Sequence, residues 1–144
     1  MDKVIPVDEE YIYKGRVIIS QTDVKGIITF ANRKFYEVSG YALDELIGSS
    51  HSIMRHPNMP KAVFEKIWET ISGGQIWTGI IKNLRKDGRY YWVDIEILPI
   101  HNENNELTGY ISARKPASRK NVNETMALYK KMLATEQGDK NVNL

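Results

Sequence analysis

The chain has 144 residues, a formal net charge of +2, 42% hydrophobic and 26% charged side chains, and no cysteine. That length holds one domain with a proper core, and so small a charge makes no case for nucleic acid or an anionic membrane as partner. The missing cysteine removes disulfides, thiolate metal sites and cysteinyl-cofactor bonds, and with no apolar run of membrane-spanning length and no signal peptide, the expected location is the cytoplasm, free or held at a membrane through a receptor partner, without membrane insertion of its own.

Residues 1–15 carry Val4, Ile5, Val7, Tyr11, Ile12 and Tyr13 between acids, without a clear period. They read as a lead-in that lays aromatics on a neighbour, with one helical turn at Asp8 to Tyr13. Arg16 to Ser20 and Gly26 to Phe30 are β-rich runs around Thr22-Asp23-Val24-Lys25-Gly26 and form a hairpin. From Asn32 to Ser39 the pattern is helical, with Phe35 and Val38 inward and Ser39-Gly40 as the stop. Leu43 to Ile47 is a single turn closed by Gly48, and Ser49 and Ser50 can cap another.

The run Ile53-Met54-Arg55-His56-Pro57-Asn58-Met59-Pro60 follows. Two prolines three residues apart exclude a helix interior or a central strand and push their predecessors toward extended backbone. Arg55, His56 and Asn58 therefore sit on a stiff connector, their side chains available to an anion or a carbonyl. Lys61 to Ser72 repeats Val63, Phe64, Ile67, Trp68 and Ile71 at helical spacing and stops at Gly73-Gly74. The strand Ile76 to Arg85 then puts Trp77, Gly79, Ile81 and Asn83 on one face. An aromatic, an empty position, an aliphatic and an amide make a wall for a flat, hydrogen-bonding ligand.

Arg85-Lys86-Asp87-Gly88-Arg89 is a hairpin signal. In the strand Tyr90 to Pro99, Tyr91, Val93, Ile95 and Ile97 face one way, and Tyr90, Trp92, Asp94, Glu96 and Leu98 the other. Asp94 and Glu96 share the outward face, which argues against acid–base catalysis. Leu107 to Lys115 is the last strand, ended by Pro116. Val122, Met126, Tyr129 and Leu133 then step as one apolar helical seam, with Asn121 and Glu124 resembling a capping box and a disordered tail from Gln137. The element order predicts an α+β domain on one antiparallel sheet of five strands, with helices on one face.

These residues resemble a family. Thr22-Asp23, Gly26-Ile27-Ile28-Thr29-Phe30-Ala31-Asn32, Ser39-Gly40-Tyr41, Leu46-Ile47-Gly48, Arg85-Lys86-Asp87-Gly88 and Gly109-Tyr110-Ile111 match the PAS pattern. Within it, Arg55-His56-Pro57-Asn58-Met59-Pro60, Trp77-Thr78-Gly79, Asn83 and Tyr91-Trp92-Val93 resemble the Aer type, the FAD-binding sensor domains of aerotaxis and energy-taxis receptors. The resemblance implies a PAS sensor domain over residues 16–116, between the lead-in and a C-terminal helix and tail at 117–144, with sheet order 2-1-5-4-3. It implies FAD contacts from Asn32, Arg55, His56, Asn58, Phe64, Trp77 and Asn83, no metal and no enzymatic turnover. It implies a chemotaxis or signalling receptor, or another transducer protein, as partner, with a homodimer as a further candidate. Asn58 stands where the family usually has Asp, which removes a charge and keeps a hydrogen-bonding group. The competing readings are a cofactor-free interaction or dimerisation module and a haem gas sensor, for which His51 or His56 would be the ligand. The missing cysteine excludes the cysteinyl-flavin photochemistry of LOV sensors.

Overall fold

The computed structural model describes the backbone of residues 3–142 and the side chains of residues 3–138. Its strands are β1 (Ile18–Asp23), β2 (Ile28–Ala31), β3 (Trp77–Leu84), β4 (Tyr90–His101) and β5 (Leu107–Pro116). Its helices are α1 (Arg33–Ser39), α2 (Leu43–Leu46), α3 (Lys61–Ser72) and α4 (Arg119–Val142), with a 3₁₀ turn at His51–Met54. The five strands form one sheet in the order β2-β1-β5-β4-β3, every neighbouring pair antiparallel. The expected α+β architecture and strand order are the observed ones.

Local chemistry sets the element ends. Asp23 closes the first hairpin: its carboxylate accepts from the Lys25 and Ile27 amides, while Gly26 supplies the left-handed residue at φ 85°. Asn32 caps α1, its Oδ1 accepting from Phe35 N and Ile19 N while its Nδ2 donates to the Val17 carbonyl. Ser50 caps the 3₁₀ turn through the Ser52 amide.

The core fills the space between the sheet's inner face and α1, α2 and α3, with Phe35, Val38, Leu46, Ile67, Ile71, Val93 and Ile95 buried. The opposite face is covered at β3 and β4 by α4, where Tyr129 stacks on Trp92 with centroids 6.5 Å apart. The outward Trp92 of the strand alternation is buried in this way.

Three expectations are corrected. The lead-in holds no helical turn; it runs extended beside β4, with Tyr11 N donating to Tyr90 O and Tyr90 N to Glu9 O. Its alternation buries Tyr13 edge-on against Tyr91. At the start of α4 the capping oxygen is Ser118 Oγ, which accepts from Asn121 N, so Asn121 is inside the helix rather than its cap. Helix α4 continues to Val142 through most of the expected tail; residues 143–144 of that tail lie outside the described residues.

Candidate functional site

A cavity of about 130 Å³ lies between the inner face of the sheet and the segment from Ser50 through α3. At a water's share of liquid volume, about 30 Å³, that is room for about four waters. The sheet contributes Ile81 and Asn83 from β3, Ile95 and Ile97 from β4, and Tyr110, Ser112 and Arg114 from β5. The helical side contributes His51, Arg55, Phe64, Ile67, Trp68 and Ile71. The polar groups gather on β3, β5 and the segment before α3, while β4 and α3 contribute isoleucines and aromatics, so the lining offers a polar edge and apolar faces.

Of the seven residues the sequence suggested, three line this cavity: Arg55, Phe64 and Asn83. The Arg55 guanidinium lies 3.8 Å from the centre of the Phe64 ring, and Arg55 and Asn83 are joined by an isolated antiparallel backbone bridge. Desolvation lowers the Arg55 pKa from its ordinary value, and among the described residues no carboxylate pairs with it. Trp77 lies on the same strand face beyond the cavity's end, its indole spread over Gly79 so that a Cβ there would collide with the ring. The empty position is therefore filled by Trp77 itself.

Asn32, His56 and Asn58 are elsewhere. The amide of Asn32 is consumed by the cap of α1 and the Ile19 and Val17 backbone. His56 is buried, with Nδ1 accepting from Asn58 N and its ring edge-on to Tyr90. Desolvation, then the Lys82 ammonium, hold its pKa at about 4. The Asn58 side chain is exposed. Of the three free side chains expected on the connector, only Arg55 reaches the cavity.

The sequence reading missed Arg114 and His51 as a site pair. Arg114 is 1% exposed, has no carboxylate partner among the described residues and donates to Ser20 Oγ at 2.7 Å. His51 Nε2 lies 3.1 Å from its Nη1 and 3.3 Å from Ser20 Oγ. The guanidinium rests on the Phe35 ring, and its Nε is buried with no hydrogen-bond partner. Burial brings the Arg114 pKa down to about 10, and desolvation followed by the Arg114 charge holds His51 at about 3. A buried cation with an unused donor calls for an electron-rich partner, so the site fits a ligand with carbonyls or anionic character. The available signal was strand parity: Ser112 and Arg114 share a face with Tyr110.

Beside Asn83, the Tyr91 hydroxyl donates to Met54 Sδ at 3.6 Å. Burial raises its pKa to about 12 despite the opposing effects of Arg114 and the Asn83 amide. A second, outer cleft of about 610 Å³ shares Ser50, Ser52 and Arg55 with the cavity and is lined in part by Lys3, Val4 and Pro6 of the lead-in. Arg55 thus stands where the two spaces meet.

An antiparallel sheet of this order, with helices enclosing a mixed polar and apolar cavity, is the architecture of a small sensor domain. The PAS fold family model matches residues 28–114, and the chain belongs to the PAS family. It is 43% identical over 117 residues to the aerotaxis receptor of Escherichia coli K12, covering 81% of this chain and 23% of that one. It is 32% identical over 107 residues to the nitrogen fixation regulatory protein of Klebsiella pneumoniae, covering 74% and 22%. The chain thus spans less than a quarter of the length of these two relatives. The dark structure of the blue-light photoreceptor Aureochrome1 LOV superposes with a TM-score of 0.67 at 22% identity, covering 85% and 86% of the two chains, a likeness of fold. This is a PAS sensor domain related to those of signalling proteins, and among the described residues no helix is long and apolar enough to cross a membrane.

Proposed function

We propose that the chain binds FAD and reports redox state or oxygen to a signalling partner in aerotaxis or energy taxis, by conformational change and without turnover. The observation that carries this reading is Arg114, a buried cation that lines the cavity and has no carboxylate partner among the described residues. Arg114, Ser112 and Asn83 would hold the polar edge of the ring, and Ile67, Ile71, Ile81 and Ile95 its faces. Arg55 suits the phosphates, since its planar fork pairs with them bidentately, and its place between the two spaces favours a dinucleotide over a mononucleotide. Trp77 closes the end of the wall. A haem is disfavoured because His51 Nε2 faces the Arg114 guanidinium, a poor neighbour for a bound metal ion.

A bound flavin supplies reversible electron transfer coupled to proton exchange at its ring nitrogens. Asn83 can meet either hydrogen-bonding need at the cavity, with its NH₂ or its carbonyl. A buried mismatch costs about 1–3 kcal/mol, enough to turn the amide over and shift the strand that carries it. The outer side of that strand is in contact with α4 through Tyr129 OH, which donates to the Ile80 carbonyl at 2.5 Å. The test is titration of the flavin-free chain with FAD, following quenching of flavin fluorescence. Saturable one-to-one binding, weakened about ten-fold or more by Arg114→Met, is expected; no binding, or equal binding by parent and variant, rejects the placement.

A further inference from the structure

We propose that α4 is a strap tying the two walls of the cavity together from outside, with Glu136 as its clasp, so that it governs how readily the walls part. Helix α3 has no side-chain cap of its own: Pro60 occupies the cap position. Its first amide groups are unpaired within the helix and sit at the positive end of its dipole. The partner they have is Glu136, 75 residues further on, whose carboxylate accepts from Lys61 N at 3.2 Å and Ala62 N at 3.1 Å. Two turns earlier along α4, Tyr129 donates to the β3 backbone at Ile80 and stacks on Trp92. The root of the helix is fixed by Val122, 1% exposed, and by Arg119, which pairs with Glu10 of the lead-in at 2.8 Å.

The two attachment points belong to the two walls. Strand β3 carries Ile81 and Asn83, and α3 carries Phe64, Ile67, Trp68 and Ile71. The connector from Arg55 to Pro60 leads from the cavity mouth into the capped end of α3. Moving the first turn of α3 away from β3 breaks the Glu136 contact or pulls Tyr129 from Ile80.

The strap itself rests on the hydrogen bonds above; only its effect on ligand exchange rests on the flavin reading. Hydrogen exchange of the flavin-free full chain tests the first part. In Glu136→Ala, amides at 61–64 and in the last two turns of α4 are expected to exchange about five-fold faster, as loss of one helix cap allows, with the β1–β2 hairpin unchanged. Glu136→Gln, which keeps an acceptor without the charge, should fall between. The second part is FAD dissociation from the loaded chain, followed by recovery of flavin fluorescence. It should quicken several-fold in Glu136→Ala and also in Tyr129→Phe. Unchanged exchange at 61–64 overturns the strap, and equal dissociation rates overturn its control of the cavity. If the parent takes up no FAD, the flavin reading falls while the exchange data still decide the strap.

Discussion

Two residues of β3, on the strand face that continues past the cavity, act as a pair, Gly79 and Trp77. The indole lies where a Cβ at position 79 would stand, and the colliding atoms are the far end of the ring. Gly79→Ala should therefore turn Trp77 off the wall rather than unfold the sheet. The measurement is tryptophan emission, expected to shift to longer wavelength with a change in unfolding free energy below about 1.5 kcal/mol; unchanged emission would place the indole elsewhere. Trp77→Ala should lower FAD occupancy, since an aromatic contact supplies about 1 kcal/mol beyond the area it covers.

The buried histidines make a prediction about pH. His51 and His56 are held at about 3 and about 4 in the folded chain, against 6.5 unperturbed. Well above pH 6.5 both are neutral whether the chain is folded or unfolded, and nothing changes. As pH falls below that, the unfolded chain takes up protons that the folded one refuses, so stability declines toward pH 3. The urea midpoint should drop between about pH 7 and pH 4.5, and the double variant His51→Gln, His56→Gln should flatten the decline. A slope unaltered by the double substitution would assign the proton uptake to other groups.

Among the elements, β5 explains why part of the site was hidden. A strand reading Tyr-Ile-Ser-Ala-Arg-Lys has one face of Tyr110, Ser112 and Arg114 and another of Ile111, Ala113 and Lys115. Period two separates the faces but does not say which is inside, and an arginine is rarely assigned to a core. The sheet puts Arg114 inward because Ile95 and Ile18, its register partners, are core residues. Asn32 and His56, expected at the site, lie away from the cavity. Backbone groups engage both, His56 through the Asn58 amide and Asn32 through the Phe35, Ile19 and Val17 backbone, a competition that a contact motif does not display. By contrast α3 and the hairpins were legible, because apolar periodicity and turn residues act within a few positions. Gly109 is a further element-level demand: a Cβ there would meet the Thr22 carbonyl of the neighbouring strand. Gly109→Ala should cost about 1–3 kcal/mol by overpacking, read as a lowered midpoint in thermal or urea unfolding. A neutral result would mean that β1 and β5 can separate freely at that point.

On the scale of the whole molecule, the domain is enclosed at both ends by segments outside its sheet. The lead-in buries Tyr13 against Tyr91 and presents Tyr11 to the Arg85 guanidinium at 3.8 Å. The strap α4 covers Trp92 and reaches α3. Removing residues 1–14 would uncover apolar surface around Tyr91 and open the outer cleft, so the shortened chain should lose solubility or associate. Sedimentation of the truncated and full chains checks this; an equally soluble truncated chain in the same state of association would show that the lead-in covers nothing essential.

The central claim is that Arg114, Asn83 and the isoleucine walls enclose a flavin. It is tested most directly by the visible absorption spectrum of the purified chain after incubation with FAD and removal of the excess, with chromatography of what denaturation releases. The account predicts flavin bands at about 370 and 450 nm, with FAD released in one-to-one amount. A chain that retains no visible absorption, or that shows a single intense band near about 400 nm from a porphyrin, contradicts it.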